Sequence, residues 1–270
     1  MRRALTGVAV VLVAAAAGLG LSAWLGGGGD GRGDADAQTR GDLGALSAAA
    51  PAARGATDFD PAAAASAPGR GTAIVARGKR ATIAVHRSPG GAVARRVERR
   101  SVEGRHLPAI FRVLQQRGPW LRVELPVRPN QGRGWIRAAD VTLSRSDYRI
   151  VIARRAHRLT LLENDRVVLR APIAVGRAVS PTPTGSYFVT DLLRPPDPNG
   201  FYGPYAFGLS AYSPVYTSFA GGDGQIGIHG TNTPSVLGSD VSHGCVRIAN
   251  ATITRLAKTV PLGTPVTIRS

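Results

Sequence analysis

Cysteine is almost absent from this chain: Cys245 is the single thiol in 270 residues. That excludes an internal disulfide framework and any zinc site built on several cysteines. Lysine is scarce as well, with Lys79 and Lys258 the only two among 34 basic residues, and acidic residues number only 17. Aromatic residues make up 6% of the chain. The lone thiol is left with four options: a buried filler, an intermolecular bridge, part of a mixed metal site, or a nucleophile.

What is present is apolar residues at 43%, 34 Gly, 19 Pro and a net charge of +17. Residues 1–70 balance to zero, 71–147 carry +11 and 148–270 carry +6. A basic excess in the parts expected to fold argues for an anionic partner. Nucleic acid is not expected, because the arginines are dispersed and the N-terminus directs the chain out of the cytoplasm. Met1-Arg2-Arg3 precedes an uncharged run from Ala4 to Leu25. That run is about long enough to span hydrocarbon as a helix, so residues 1–25 read as a signal-anchor or a cleaved signal peptide. Either places the rest outside the cytoplasm, in the cell envelope, anchored to the membrane by residues 4–25 or secreted. Residues 26–70 read as a disordered Gly/Ala/Pro linker with a reach of roughly 35–40 Å.

From 71 to 147 short strands alternate with turns: 81–85, 110–114, 120–125 and 134–137. A small β-barrel is expected. The phrase Trp120-Leu121-Arg122-Val123, then Gly134-Trp135-Ile136 and Val141, resembles bacterial Src-homology-3-like cell-wall modules. Trp120 and Trp135 are expected to pack its core, and its basic surface offers a wall contact. Residues 148–270 read as strands at 149–152, 158–162, 166–175, 186–190 and 266–269, with an Asn164-Asp165 hairpin turn. A Pro/Gly loop at 194–205 is longer than a passive connection. Asn250 is placed to cap a helix over 251–260. The fold class is mainly β: a β-sandwich with one or two short helices, preceded by the small barrel and the N-terminal hydrophobic helix.

Two histidines and the cysteine, each beside a glycine, stand close in sequence: Ile228-His229-Gly230-Thr231, then Val241-Ser242-His243-Gly244-Cys245-Val246-Arg247-Ile248. Acyl transfer through sulfur needs a thiolate, and an ordinary thiol, with a pKa near ~8.5, is mostly protonated at neutral pH. An imidazole can take that proton and return it to the leaving amine. A glycine before the nucleophile lets backbone N–H groups approach a developing oxyanion. Other readings stand beside this one. Cys245 could be a small core residue, His229, His243 and Cys245 could share a zinc ion, or Ser242 could be the nucleophile, although no Gly-x-Ser-x-Gly elbow surrounds it. His86, His106 and His157 read as ordinary surface residues.

The segment His229-Gly230-Thr231, followed by Ser242-His243-Gly244-Cys245-Val246-Arg247-Ile248 and Asn250, with Thr182-Pro183-Thr184-Gly185 upstream, resembles the signature of the L,D-transpeptidases (YkuD-type domains). The family often has an acidic residue after the asparagine, where this chain has Ala251 and Thr252. The resemblance implies that Cys245 attacks the carbonyl of the third residue of a peptidoglycan tetrapeptide stem and releases the terminal D-Ala. It implies His229 as general base and acid, Ser242 and His243 as shaping residues, and the Gly244 and Cys245 amides as oxyanion donors. Gly230 and Arg247 are then expected to bind substrate, with bracing of the loop the alternative role for Arg247. The acyl group passes to a side-chain amine of a second stem, giving a 3→3 cross-link, and carbapenem-type β-lactams become expected inhibitors. No metal or organic cofactor is expected. An L,D-carboxypeptidase or cross-link hydrolase of the same fold, and a non-catalytic wall-binding protein, are the alternatives. Both halves of the site fall within 148–270, so that segment is expected to react alone.

Overall fold

The computed structural model describes residues 47–48, 72–102, 105–219 and 221–270. The expected membrane segment at 1–25 and, apart from Ser47 and Ala48, the linker at 26–70 lie outside these residues. Among the described residues no helix is long and apolar enough to cross a membrane. The first strands are β1 (Ser47–Ala48), β2 (Ala73–Gly78), β3 (Thr82–His86), β4 (Val93–Glu98), β5 (Arg100–Val102), β6 (Arg105–Leu107), β7 (Ile110–Arg117), β8 (Trp120–Glu124), β9 (Arg133–Arg137) and β10 (Val141–Ser146).

Seven of these form one antiparallel sheet in the order β10-β2-β7-β8-β9-β3-β4, and β5 and β6 make a separate hairpin. The hydrogen-bonded path has β10 and β4 at its ends. Strand alternation explains the packing. Leu121 and Val123 of β8 and Ile136 of β9 turn to the core with Ile83, Val85 and Phe111. Their neighbours Trp120 and Trp135 point to the opposite face of their strands. Trp120 is still buried, with His86 at its edge and the Arg137 guanidinium 4.7 Å over its ring, whereas Trp135 is only half-buried.

The second part contains β11 (Tyr148–Ala153), β12 (Arg158–Glu163), β13 (Arg166–Gly176), β14 (Gly185–Arg194), β15 (Ala206–Tyr212), β16 (Gln225–His229), β17 (Asp240–Ser242), β18 (Val246–Ile248), α1 (Asn250–Thr259) and β19 (Pro265–Arg269). Its sheet runs β14-β15-β16-β18-β13-β12-β11-β19, and a further β14–β19 pairing returns it to its start. Two long strands carry the chain from one layer to the other. β13 pairs with β12 in its first half and β18 in its second, and β14 pairs with β19 and then β15. Between the layers lie Ile150, Leu159, Ile173, Phe207, Ile228, Val246 and Ile268, with Ile253, Leu256 and Ala257 of α1 sealing the core. Each such aliphatic side chain contributes about 1.5–3 kcal/mol on burial. β12 and β13 join through Asn164-Asp165, both at positive φ (46° and 64°), as a two-residue hairpin turn requires.

The two parts meet through Phe188 of β14, which is fully buried against Val75 and Ile110 of the first sheet. Arg112 adds a polar contact: it pairs with buried Glu124 at 2.7 Å and donates to Ser186 Oγ at 3.2 Å.

Candidate active site

An open cleft lies on the outer face of β14, β15, β16 and β18. Register fixes which residues reach it. Asp191 pairs with Gly208 and Gly208 with Gly227, while Leu193 pairs with Ala206 and Ala206 with His229. Residues paired across strands share a face, and so do residues two apart along a strand. His229 therefore shares the cleft face with Gly227, and Ile228, between them, enters the core. β18 runs parallel to β16, with His229 opposite Arg247, which brings Cys245 beside the middle of β16. The Gly227 N–H donates to Cys245 Sγ at 3.3 Å.

The turn before Cys245 is held from several sides. Ser242, 2% exposed, donates through Oγ to the Cys245 carbonyl at 2.6 Å and accepts from the Gly244 N–H at 3.1 Å. Buried Thr182 accepts from the Gly176 N–H at 2.9 Å and donates to the Gly244 carbonyl at 2.8 Å. This gives the upstream Thr-Pro-Thr-Gly segment its place: it braces the turn before Cys245. Gly244 sits at φ +126°, a backbone conformation that strains any side chain, and a Cβ there would also push on the Ile226 tip, Cδ1 at 2.9 Å.

His229 is 2% exposed, and its Nδ1 lies 2.7 Å from the Gly230 carbonyl. A carbonyl only accepts, so Nδ1 carries the proton and Nε2 keeps its lone pair. Burial, and then the charge of Arg247, lower the His229 pKa from 6.5 to about 3, against the opposing pull of the Gly230 carbonyl. Burial also pushes the Cys245 thiol up, opposed by the Gly227 N–H and by Arg247. At neutral pH the resting pair is a thiol and a neutral imidazole.

Aromatic rings wall the cleft on two sides. Phe201 and Tyr202, from the long Pro/Gly loop, pack on the His229 ring at 5.7 and 4.8 Å between centroids, and Arg247 stacks on Phe201 at 4.5 Å. Phe219 and Tyr216 flank His243 at 5.0 and 6.0 Å. The loop carrying this second pair is gripped by the first part of the chain. Arg128 donates to the carbonyls of Ser213, Tyr216 and Asp223 at 2.8–3.2 Å, and Asn130 bonds both the N–H and the carbonyl of Tyr212. Arg100 of β5 reaches the cleft itself, 3.4 Å from Asp191 and 3.8 Å from Asp223. So the Cys245 thiol and the His229 imidazole do lie within 148–270, but the cleft wall draws on residues before it.

Cys245, His229, Ser242, His243 and Arg247 all line the cleft, whereas Gly230 and Gly244 stand behind it. Gly230 acts on His229 through its carbonyl, and its bare Cα admits Asn250 Oδ1, which a Cβ would meet at 2.3 Å. The Gly244 N–H expected to face an oxyanion is committed to Ser242. Asn250 does not cap its own helix: Ala249 holds the N-cap, and Asn250 Oδ1 accepts from the Thr231 N–H at 2.8 Å, tying the two motif halves together. His243 Nε2 meets the Arg177 guanidinium, so that nitrogen accepts a bond and is not poised as a base. His86 and His157 stay outside the cleft, with His157 paired to Asp240 at 2.8 Å. Among the described residues no three His, Cys, Asp or Glu side chains gather as a metal site. Sequence reasoning missed Phe201, Tyr202, Tyr216, Phe219, Arg100, Arg128 and Asp191. Only the length of the 194–205 loop hinted at the first two.

The fold and the site together define a mainly β protein with one thiol and one neutral imidazole in a walled cleft. The family model of the L,D-transpeptidase catalytic domain, YkuD, matches residues 147–268. The YqjB protein of Bacillus subtilis, named among the L,D-transpeptidases, is 30% identical over 130 residues, covering 44% of this chain and 69% of that protein. The YkuD protein of Bacillus licheniformis, likewise named, is 40% identical over 121 residues, 45% of this chain, and the match spans 65% of its length. A solved structure of L,D-transpeptidase 3 from Mycobacterium tuberculosis with a faropenem-derived adduct aligns at 19% identity and a TM-score of 0.37, over 51% of this chain and 73% of that one. The chain belongs to the YkuD family of L,D-transpeptidase catalytic domains.

Proposed function

We propose that this protein is a peptidoglycan L,D-transpeptidase that forms 3→3 cross-links through an acyl-enzyme on Cys245. The observation that carries the reading is that His229, with Nδ1 at 2.7 Å from the Gly230 carbonyl and Nε2 therefore left with its lone pair, lines the same cleft as the Cys245 thiol. Because burial keeps both groups neutral at rest, His229 removes the proton as sulfur attacks rather than beforehand. The Cys245 sulfur bonds to the carbonyl carbon of the stem's third residue. The bond to D-Ala breaks, and the proton held on His229 leaves with the D-Ala amine. A side-chain amine of a second stem then attacks the thioester, gives up a proton to His229 and frees the thiol. With the Gly244 N–H occupied by Ser242, the Cys245 amide is the donor of that pair left for the oxyanion, a contribution of order 10²–10³ in rate at such sites. Arg247 supplies positive charge for a stem carboxylate.

On the same reading the enzyme works outside the cytoplasm, tethered by residues 4–25 or released after their removal. Residues 71–147 form a Src-homology-3-like module that both grips the cleft and offers basic surface to the wall. Carbapenems acylate Cys245 as stem mimics. The test is product analysis: the purified full chain, given disaccharide-tetrapeptide alone, should yield 3→3 dimers and free D-Ala. Tripeptide and D-Ala without dimers would assign water as acceptor and make it an L,D-carboxypeptidase. No D-Ala release would overturn the reading.

A further inference from the structure

We infer that the open face of the first sheet is a docking surface for a phosphodiester polymer without bases, a polyol-phosphate chain laid across its strands. This deepens the wall-contact reading above and is independent of the reaction at Cys245. Of the basic residues in 71–147, Arg100, Arg112 and Arg128 turn to the second part of the chain. Register shows where four others stand. Arg117 pairs with Trp120 and Trp120 with Arg137, while Arg122 pairs with Trp135 and Trp135 with His86. Residues paired across strands share a face, so these gather on the face opposite the core formed by Leu121, Val123 and Ile136. Arg96 joins them, paired with Ala84 two residues from His86.

Arg96, Arg117, Arg122 and Arg137 are exposed, and none makes an ion pair among the described residues. Two carboxylates share the face. Glu124 is 3% exposed and held by Arg112 and Arg133, which leaves Glu98 of β4 as the exposed one. Like charges gathered with so little counter-charge raise the local potential and attract an anion. Trp120 adds order: Arg137 lies 4.7 Å over its ring, and the His86 ring meets its edge. A guanidinium already held on a ring loses less freedom when it binds. The other end of the same face is an interface within the chain, where Arg112 reaches Ser186 and Val75 and Ile110 pack on Phe188. The basic end continues that interface into solvent, so a bound chain would lie beside the second part.

The spread of the charges selects the partner. From Arg117 on β7 across β8, β9 and β3 to Arg96 on β4 is a span of about 19 Å, at about 4.8 Å per strand. A small anion would meet one or two of these side chains, whereas an extended polyanion meets all four. Guanidinium forks suit phosphate and carboxylate oxygens alike. The stems of the proposed substrate carry amines beside their carboxylates, so a strand of them offsets its own charge. A phosphodiester chain carries a negative charge in every repeat and no cation. Bases would need open rings to stack on, but Trp120 is 7% exposed and Arg137 covers one of its faces. The exposed large apolar side chains of this sheet are Val93 and Leu114, each beside a bulge, too little to enter a lipid surface.

The test titrates the full chain with synthetic poly(glycerol phosphate), with polygalacturonate of matched charge and with phosphatidylglycerol vesicles, at roughly 50 and roughly 150 mM salt. Poly(glycerol phosphate) should bind most tightly, and less so at the higher salt. Arg117→Gln/Arg122→Gln/Arg137→Gln should lose about ten-fold or more in affinity. Arg155→Gln/Arg166→Gln/Arg170→Gln removes the same charge from exposed sites of the second part and should stay within about two-fold. The first variant should melt normally and form the carbapenem adduct on Cys245 at the unsubstituted rate. If it melts lower, Arg122→Glu alone decides, with a loss of about three-fold or more. Equal losses in the two triple variants would reduce the effect to net charge and overturn the inference. So would binding to polygalacturonate or vesicles that is as tight or tighter, or no binding to poly(glycerol phosphate) at the lower salt. A protein that binds the polymer but never acylates Cys245 would instead overturn the proposed reaction and leave this surface standing.

Discussion

Lowering the pH from 7 to 5 should leave the acylation rate of Cys245 nearly unchanged. An ordinary histidine, with a pKa of 6.5, is about three-quarters neutral at pH 7 and about 3% neutral at pH 5, a loss of about 25-fold in available base. His229 titrates at about 3, chiefly because it is buried and secondarily because of Arg247, so about 99% of it stays neutral at pH 5. The assay is the pseudo-first-order rate of carbapenem adduct formation, quenched and read by intact mass between pH 4.5 and 8. The rate should change by less than two-fold across the acid side. Arg247→Gln should bring part of the acid limb back toward neutral pH, because it removes the second cause of the shift. A fall centred near pH 6.5 in the unsubstituted protein would refute the reasoning. The same shift acts on stability, and its sign follows from which state binds the proton. Below pH 6.5 the unfolded chain protonates this residue while the folded one does not. Its contribution is therefore fully present above pH 6.5 and is lost as pH falls toward 3, at about 1.4 kcal/mol per pH unit. Urea unfolding of His229→Asn should lack that part of the slope.

Two further substitutions probe the supports of the site. Ser242→Ala removes the bond to the Cys245 carbonyl and strands the Gly244 N–H, costing about 1–3 kcal/mol; the melting temperature should drop by several degrees and acylation should slow, with the adduct still on Cys245. An adduct lost from Cys245 and found on no other residue, in a protein that melts normally, would count against a purely bracing role. Arg128→Ala releases three carbonyls of the loop that carries Tyr216 and Phe219. The stem-peptide KM should rise several-fold while kcat changes less, and Arg128→Lys should recover only part, since a point charge cannot fork to three acceptors. Unchanged KM in Arg128→Ala would detach the first part of the chain from the cleft.

The local features of this molecule were legible because they depend on near neighbours. Asn164-Asp165 tolerates two positive φ values, so the β12–β13 turn could be read from two letters. The alternation in 149–152 and 158–162 announced strands, and the glycine before Cys245 announced a tight turn. Asn250 misled for an instructive reason. Asparagine before a helical run usually caps it, but here a bare Gly230 lets the side chain reach Thr231, and that tertiary bond wins over the local one. Ser242 likewise holds the Gly244 N–H, a side-chain bond that the motif alone does not reveal. The cleft walls were illegible on other grounds. Arg128 meets its partners 85 to 95 residues away, and Asp191 comes into line with Gly208 and Gly227 only through strand register, with a bulge at β14 shifting the count. The +11 excess of 71–147 suggested an outside partner, yet three of its arginines, Arg100, Arg112 and Arg128, reach the second part of the chain.

The central claim is that Cys245 carries the acyl group of a peptidoglycan stem. Intact-mass analysis after mixing the full chain with a tetrapeptide donor, quenched in acid, tests it most directly. The protein should gain the mass of the tripeptide acyl group, the tetrapeptide less its D-Ala, with fragmentation assigning the thioester to Cys245 and with Cys245→Ala gaining nothing. An adduct on Ser242, or D-Ala release that persists in Cys245→Ala, would contradict the account.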